Sequence, residues 1–158
     1  MSAARLAARC LAVLGPVAGP VAVVVPRAPR LRAALATRLP VARDGDGPRA
    51  AVVAFLGAPA EPAERRGVLD GLHQSLPANA PLLLVDHNQP RTLLRRTLGW
   101  LALATAGLGP SRARYPSARE LAARGFTVDR LRLACGERVQ LVLARRRPAS
   151  GSEAGEPG

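Results

Sequence analysis

The sequence predicts an α/β protein built on a mostly parallel sheet that finishes in an antiparallel hairpin. Three observations carry this expectation. Continuous apolar runs at residues 21–25, 50–56 and 82–85 have the composition of strands buried on both faces. Helical patterns separate them, and strand–helix–strand alternation implies parallel strands joined by right-handed crossovers. Near the end, residues 126–134 and 138–144 read as two strands joined by Cys135-Gly136-Glu137, a turn of hairpin length.

Taken in order, residues 3–14 carry Leu6, Cys10, Val13 and Leu14 at helical spacing, which predicts a first helix. Gly15-Pro16 and Gly19-Pro20 punctuate the chain before the run at 21–25. After Pro26 and Pro29, residues 31–39 read as a short helix, and residues 41–46 as a brief strand ending in a turn. The strand at 50–56 is closed by Gly57 and Pro59. Pro62 suits the first turn of the next helix, and Val68, Leu69, Leu72 and Leu76 mark its apolar face. Residues 92–106 form a helical stretch of mixed polarity, followed by a Gly/Pro/Arg-rich loop. Ser117 with Glu120 three residues on reads as a capping box, and Gly125 as the stop of that short helix.

A chain of 158 residues is one domain's worth. Residues 1–144 are expected to form it, with 145–158 a disordered tail of charged and small residues. All 23 basic residues are arginine, against 11 acids, giving a net charge of +12. The absence of lysine and isoleucine is the signature of a GC-rich genome, so much of the charge reflects codon bias on solvated faces. An arginine-driven nucleic-acid binder is the alternative. One Trp, one Tyr and two Phe are too few and too scattered for base-stacking platforms, so nucleic acid is not favoured. Cys10 and Cys135 stand without CxxC or Cys/His clusters, which speaks against a disulfide framework and a zinc site and suits a reducing cytoplasm. The arginine-bearing, acid-free N-terminus has the look of a presequence and equally of an ordinary helix; the chain beyond it needs that helix. The longest apolar run, residues 98–108, falls far short of the roughly 20 residues that span a membrane.

Several segments then carry a resemblance. Leu76-Pro77-Ala-Asn-Ala-Pro-Leu-Leu-Leu-Val-Asp86 resembles the leucine, proline, small residues and acid-ended strand of class I S-adenosylmethionine-dependent methyltransferases. Tyr115-Pro116-Ser-Ala-Arg-Glu-Leu-Ala-Ala-Arg-Gly-Phe126 resembles that family's late helix running through Gly-Phe into its sixth strand, and residues 137–144 resemble its seventh. More loosely, residues 23–29 look like its second strand, with Pro26 where that strand ordinarily ends in an acid that holds the cofactor's ribose. The resemblance implies a Rossmann-like methyltransferase sheet in which the first strand and its Gly-rich loop are missing, either upstream of Met1 or lost. Gly15-Pro-Val-Ala-Gly19 as a remnant of that loop would leave no room for a crossover helix before Val21.

The same resemblance implies S-adenosylmethionine as cofactor and a small-molecule methyl acceptor, and leaves a catalytically inactive scaffold as the second reading. Gly45 and Asp46 look like the turn whose Asp bonds the adenine amino group; a plain Asp-Gly turn is the alternative. Phe55 and Gly57 would line the cofactor–substrate cleft. Asp86, His87 and Asn88 sit just past a strand's C-terminal end, where open α/β sheets bind ligands. His87 is the candidate base, with Asp86 fixing its tautomer, and Asn88 a candidate acceptor contact. Trp100 belongs to residues 91–116, the place of a substrate-side insertion. His73 reads as a helix-surface residue.

Overall fold

The computed structural model describes residues 2–43, 45–57, 62–88 and 117–148. Helix α1 spans Ala3–Leu14; the Ser2 hydroxyl accepts from the Arg5 N–H at its start, and Gly15, at φ 77°, ends it. Its buried face is Leu6, Ala7, Cys10, Val13 and Leu14, the stripe that the spacing predicts. Burial, followed by the neighbouring Cys135 thiol, pushes Cys10 up to about 12, so it stays a thiol and packs as a small apolar side chain. Strand β1 (Val21–Val24) leads into α2 (Pro29–Ala36), which opens on a proline and buries Leu31 and Leu35. Then come β2 (Ala50–Ala54), α3 (Pro62–Ser75), β3 (Pro81–His87), α4 (Ser117–Ala123), β4 (Phe126–Ala134) and β5 (Val139–Arg146).

The strands lie in the order β1-β2-β3-β5-β4. β1, β2 and β3 pair in parallel, and β5 runs antiparallel to both β3 and β4. Four strands therefore point one way and the last one returns, which is the mostly parallel sheet with a terminal hairpin read from the sequence. Alternation along the strands divides the core. Val52, Ala54, Leu83, Val85, Leu141 and Leu143 face α1 and α2. Ala51, Val53, Leu82, Leu84, Val142 and Ala144 face α3 and α4. Because β2 and β3 have helices on both sides, their residues are apolar without a break, and each large side chain buried there contributes roughly 1.5–3 kcal/mol.

Several expectations need correcting. The apolar run at residues 21–25 predicts burial on both faces, yet only Val21 of β1 is fully buried and the next three are half-exposed. β1 is a border strand, flanked outside by the single bridge Val21↔Val41, to which the brief strand expected at 41–46 reduces. β1, by resemblance the second strand of its sheet, is hydrogen-bonded directly to β2, as expected of a sheet whose first strand is missing. β2 stops at Ala54 because Phe55 turns to φ 52°. β5 runs through Arg145 and Arg146, past the strand end read at residue 144. The tail at 149–158 and the helical stretch at 92–106 lie outside the described residues.

In the β4–β5 pair a bulge falls between Val128 and Arg130. Phe126 and Val128 join the core under α4, whereas Ala134 joins the core under α1. The extra residue thus swaps faces partway along β4 and turns Arg130 and Arg132 towards the α1 side.

Candidate functional site

Open α/β sheets take ligands beyond the carboxyl ends of their parallel strands. Here that edge is made by the residues after β1, β2 and β3. Past β2 the Phe55 N–H donates to the Val85 carbonyl at 2.9 Å, Leu56 is buried, and Gly57 sits at φ 107°. Phe55 is half-buried, and its ring lies 4.7 Å from the His87 imidazole at a 36° tilt. His87 closes β3 on the face towards α1. Burial lowers its pKa below the ordinary value, and the charge of Asp86 opposes that only in part. The imidazole is therefore neutral at pH 7 and keeps a nitrogen able to accept a proton.

Asn88 serves the hairpin turn. Its N–H donates to the Arg138 carbonyl at 2.8 Å and its side-chain amide to the Glu137 carbonyl at 2.7 Å. Gln140 donates to the His87 carbonyl at 3.0 Å. These bonds tie the end of β3 to a turn in which Cys135, Gly136 and Glu137 hold φ of 58°, 64° and 68°. Left-handed backbone costs roughly 1–2 kcal/mol at each non-glycine position, so the turn needs such ties.

Asp86 points to the other face, towards α3 and α4. Its carboxylate accepts from Arg65 at 2.6 and 3.3 Å and from the Ser117 hydroxyl at 2.9 Å. The same guanidinium donates to both oxygens of Glu120, at 2.7 to 3.0 Å. Arg65 and Asp86 are 2% and 1% exposed. Burial pushes the Asp86 carboxyl above its ordinary range, against Arg65 and Ser117, which pull it down. Burial likewise disfavours the Arg65 charge, but its two carboxylates outweigh that and hold it above its ordinary value. Asp86 is thus the hinge pin of a buried network. The pairing expected with His87 is replaced by one with Arg65 and Ser117, because neighbours along a strand face opposite ways.

Sequence reasoning misses Arg65, Ser117 and Glu120 as members of one site. Arg65 lies in an Arg-Arg pair, though its spacing to Leu69, Leu72 and Leu76 puts it on the apolar face of α3. Ser117 and Glu120 have the pattern of a capping box, whereas both side chains bond across to β3 and α3. His73 is half-buried, edge-on to Phe126 with ring centroids 5.2 Å apart.

Asp46 closes its own turn: its carboxylate accepts from the Arg43 N–H at 2.9 Å, and its N–H donates to the Arg43 carbonyl. Gly45 supports that turn at φ 92°. The excursion leaves the Val21↔Val41 bridge by two residues and is back at the Pro20 carbonyl by Arg49. The Ala42 N–H also donates to the Val21 carbonyl, so both ends of the excursion are tied to the start of β1. Trp100 lies outside the described residues. Among the described residues no group of His, Cys, Asp and Glu could hold a metal ion, and no helix is long and apolar enough to cross a membrane.

The residues after β1 are Val25, Pro26, Arg27 and Ala28, and Ala28 caps α2 without a side-chain bond. In the family that the sequence resembles, an acid at this point holds the cofactor's ribose; Pro26 stands there instead, so this turn offers a ribose no carboxylate.

No family model and no curated protein matches the chain. Solved structures do. The pyocyanin biosynthetic protein PhzM superposes with a TM-score of 0.66 at 16% identity, over 90% of this chain and 55% of that one. An O-methyltransferase family protein from Burkholderia thailandensis gives 0.57 at 13%, over 91% and 57%. The N-methyltransferase NodS from Bradyrhizobium japonicum WM9 gives 0.53 at 11%, over 92% and 94%. An O-methyltransferase family 2 protein from Planctomyces limnophilus, solved with apigenin, gives 0.50 at 17%, over 80% and 42%. The chain spans about half the length of PhzM. At these identities the likeness establishes the fold, which is that of S-adenosylmethionine-dependent methyltransferases.

Proposed function

We propose that this chain is a methyltransferase-like protein that receives a small organic methyl acceptor at the C-terminal edge of its sheet, with S-adenosylmethionine as the methyl donor. The Phe55–His87 pair carries the reading: an aromatic face and a neutral imidazole, 4.7 Å apart, at the edge where such sheets hold ligands. Phe55 offers stacking to a flat acceptor, and His87 can take the proton of an acceptor hydroxyl at neutral pH. Methyl transfer asks chiefly for alignment, which a ring pair fixed between β2 and β3 supplies. The likeness to a protein solved with apigenin supports an aromatic acceptor. A cytoplasmic site of action accompanies this reading.

The test is transfer of labelled methyl from S-adenosylmethionine to a panel of hydroxylated aromatics, beside a calorimetric titration of the cofactor. We expect saturable binding and turnover that falls at least tenfold in His87→Ala. A flat titration at 1 mM cofactor, on the order of a thousand times a micromolar Kd, would remove it. Pro26 favours the second reading, a non-catalytic partner protein, which predicts the flat titration while aromatic compounds still bind beside Phe55.

A further inference from the structure

On the α1 side of the sheet, well away from the turn after β1, a groove of about 330 Å³ opens between α1 and the β4–β5 pair. That volume is at the lower end of the range of small-molecule pockets, roughly 300–1,000 Å³. Its floor includes Val13, Ala134 and Leu141, and its rim Arg9, Arg130 and Arg132; no acidic residue lines it. All three arginines are exposed, and none has an ion-pair partner among the described residues.

Charges on a border strand are often guards against strand addition, and there any direction would serve. The bulge between Val128 and Arg130 does something more particular. It turns Arg130 and Arg132 to the face that carries Arg9, so three like charges from two elements collect around an apolar floor. Arg9 also bears on Cys135 at the end of β4: burial raises that thiol and the Arg9 charge is the largest effect opposing it. Gathering three cations is unfavourable in the empty groove and is relieved by an oxyanion, which guanidinium forks bind in bidentate fashion.

We propose that the groove between α1 and β4 binds a small amphiphilic anion, its carboxylate or phosphate head held by Arg9, Arg130 and Arg132 and its apolar body laid over Val13, Ala134 and Leu141. Full-length protein titrated with decanoate, with decyl phosphate and with inorganic phosphate tests this by calorimetry and amide NMR. A ligand of ~12 heavy atoms should bind with Kd on the order of 0.1 mM. Decanoate tighter than decyl phosphate assigns a carboxylate head, the reverse a phosphate head. In Arg130→Glu/Arg132→Glu the Kd should rise at least tenfold, whereas Arg32→Glu, an exposed site on α2, should leave it within twofold. Decanol should bind at least fivefold more weakly than decanoate. The substituted arginines are exposed, so both variants should fold, and a melting temperature equal to that of the wild type checks this. The proposal is overturned by no binding of either amphiphile at 1 mM, by inorganic phosphate binding as tightly as they do, or by a Kd indifferent to the double charge reversal. None of these results bears on cofactor binding at the sheet edge.

Discussion

Replacing Arg65 with methionine removes one guanidinium and strands a carboxylate that is 1% exposed. Asp86 then keeps only the Ser117 hydroxyl of its two side-chain partners. Removing one partner of a buried pair costs about 3–5 kcal/mol, because the other charge stays desolvated. The carboxyl has an escape, which is protonation. Arg65 is the strongest influence holding its pKa down against burial, so its loss drives an already raised pKa higher still. With the folded pKa above the unfolded value of about 3.9, the favourable neutral form is complete below pH ~4 and is lost as pH rises through the folded pKa. The deficit of Arg65→Met relative to wild type should therefore be smaller at pH 5 than at pH 8, growing by at most ~1.4 kcal/mol per pH unit. Urea unfolding followed by circular dichroism at both pH values reads it directly. Arg65→Met/Asp86→Leu/Ser117→Ala exchanges the polar groups for apolar ones and should recover more than half of the loss at pH 8. A deficit below ~1 kcal/mol, or one equal at pH 5 and pH 8, would refute the account of Asp86 as a charge held in place by Arg65.

Two further outcomes are expected from the geometry. His87 has its pKa lowered by burial, so the stability of its neutral form is present above ~6.5 and lost as pH falls through the folded pKa; His87→Leu should flatten the decline in urea midpoint between pH 7 and pH 5. An unchanged slope would show that another group governs it. Gly125 stands at φ 81° where a Cβ would lie 2.7 Å from His73 Nε2, so Gly125→Ala should cost roughly 1–2 kcal/mol of backbone strain plus the displaced ring. Adding His73→Ala should return the contact part alone, and a melting temperature unchanged in Gly125→Ala would contradict both causes.

How far the sequence could be read depended on what each feature draws on. The bounds of α1 came out to the residue, since the apolar stripe and the Gly15-Pro16 break are both local signals. β2, β3 and the hairpin were legible because buried strands show as unbroken apolar runs. The exposure of β1 was not, because an apolar run looks the same at the border of a sheet as at its middle. The strand ends single out Phe55 and His87, but the contact between their rings depends on the pairing of β2 with β3, which no local pattern shows. The Arg65 network was the largest omission. Its bonded partners are 21 to 55 residues apart, and in a chain whose basic residues are all arginine a single buried one carries no mark of composition.

The network also bears on the order in which the molecule assembles. Strands β1, β2 and β3 succeed one another closely, and their pairing can begin once short crossovers close. The Arg65–Glu120 bond must wait for a closure across 55 residues, and until then all three charges remain in water. Full burial of the three charges therefore requires α4 to be seated against α3 and β3, and loss of that seating returns Arg65, Asp86 and Glu120 to water together.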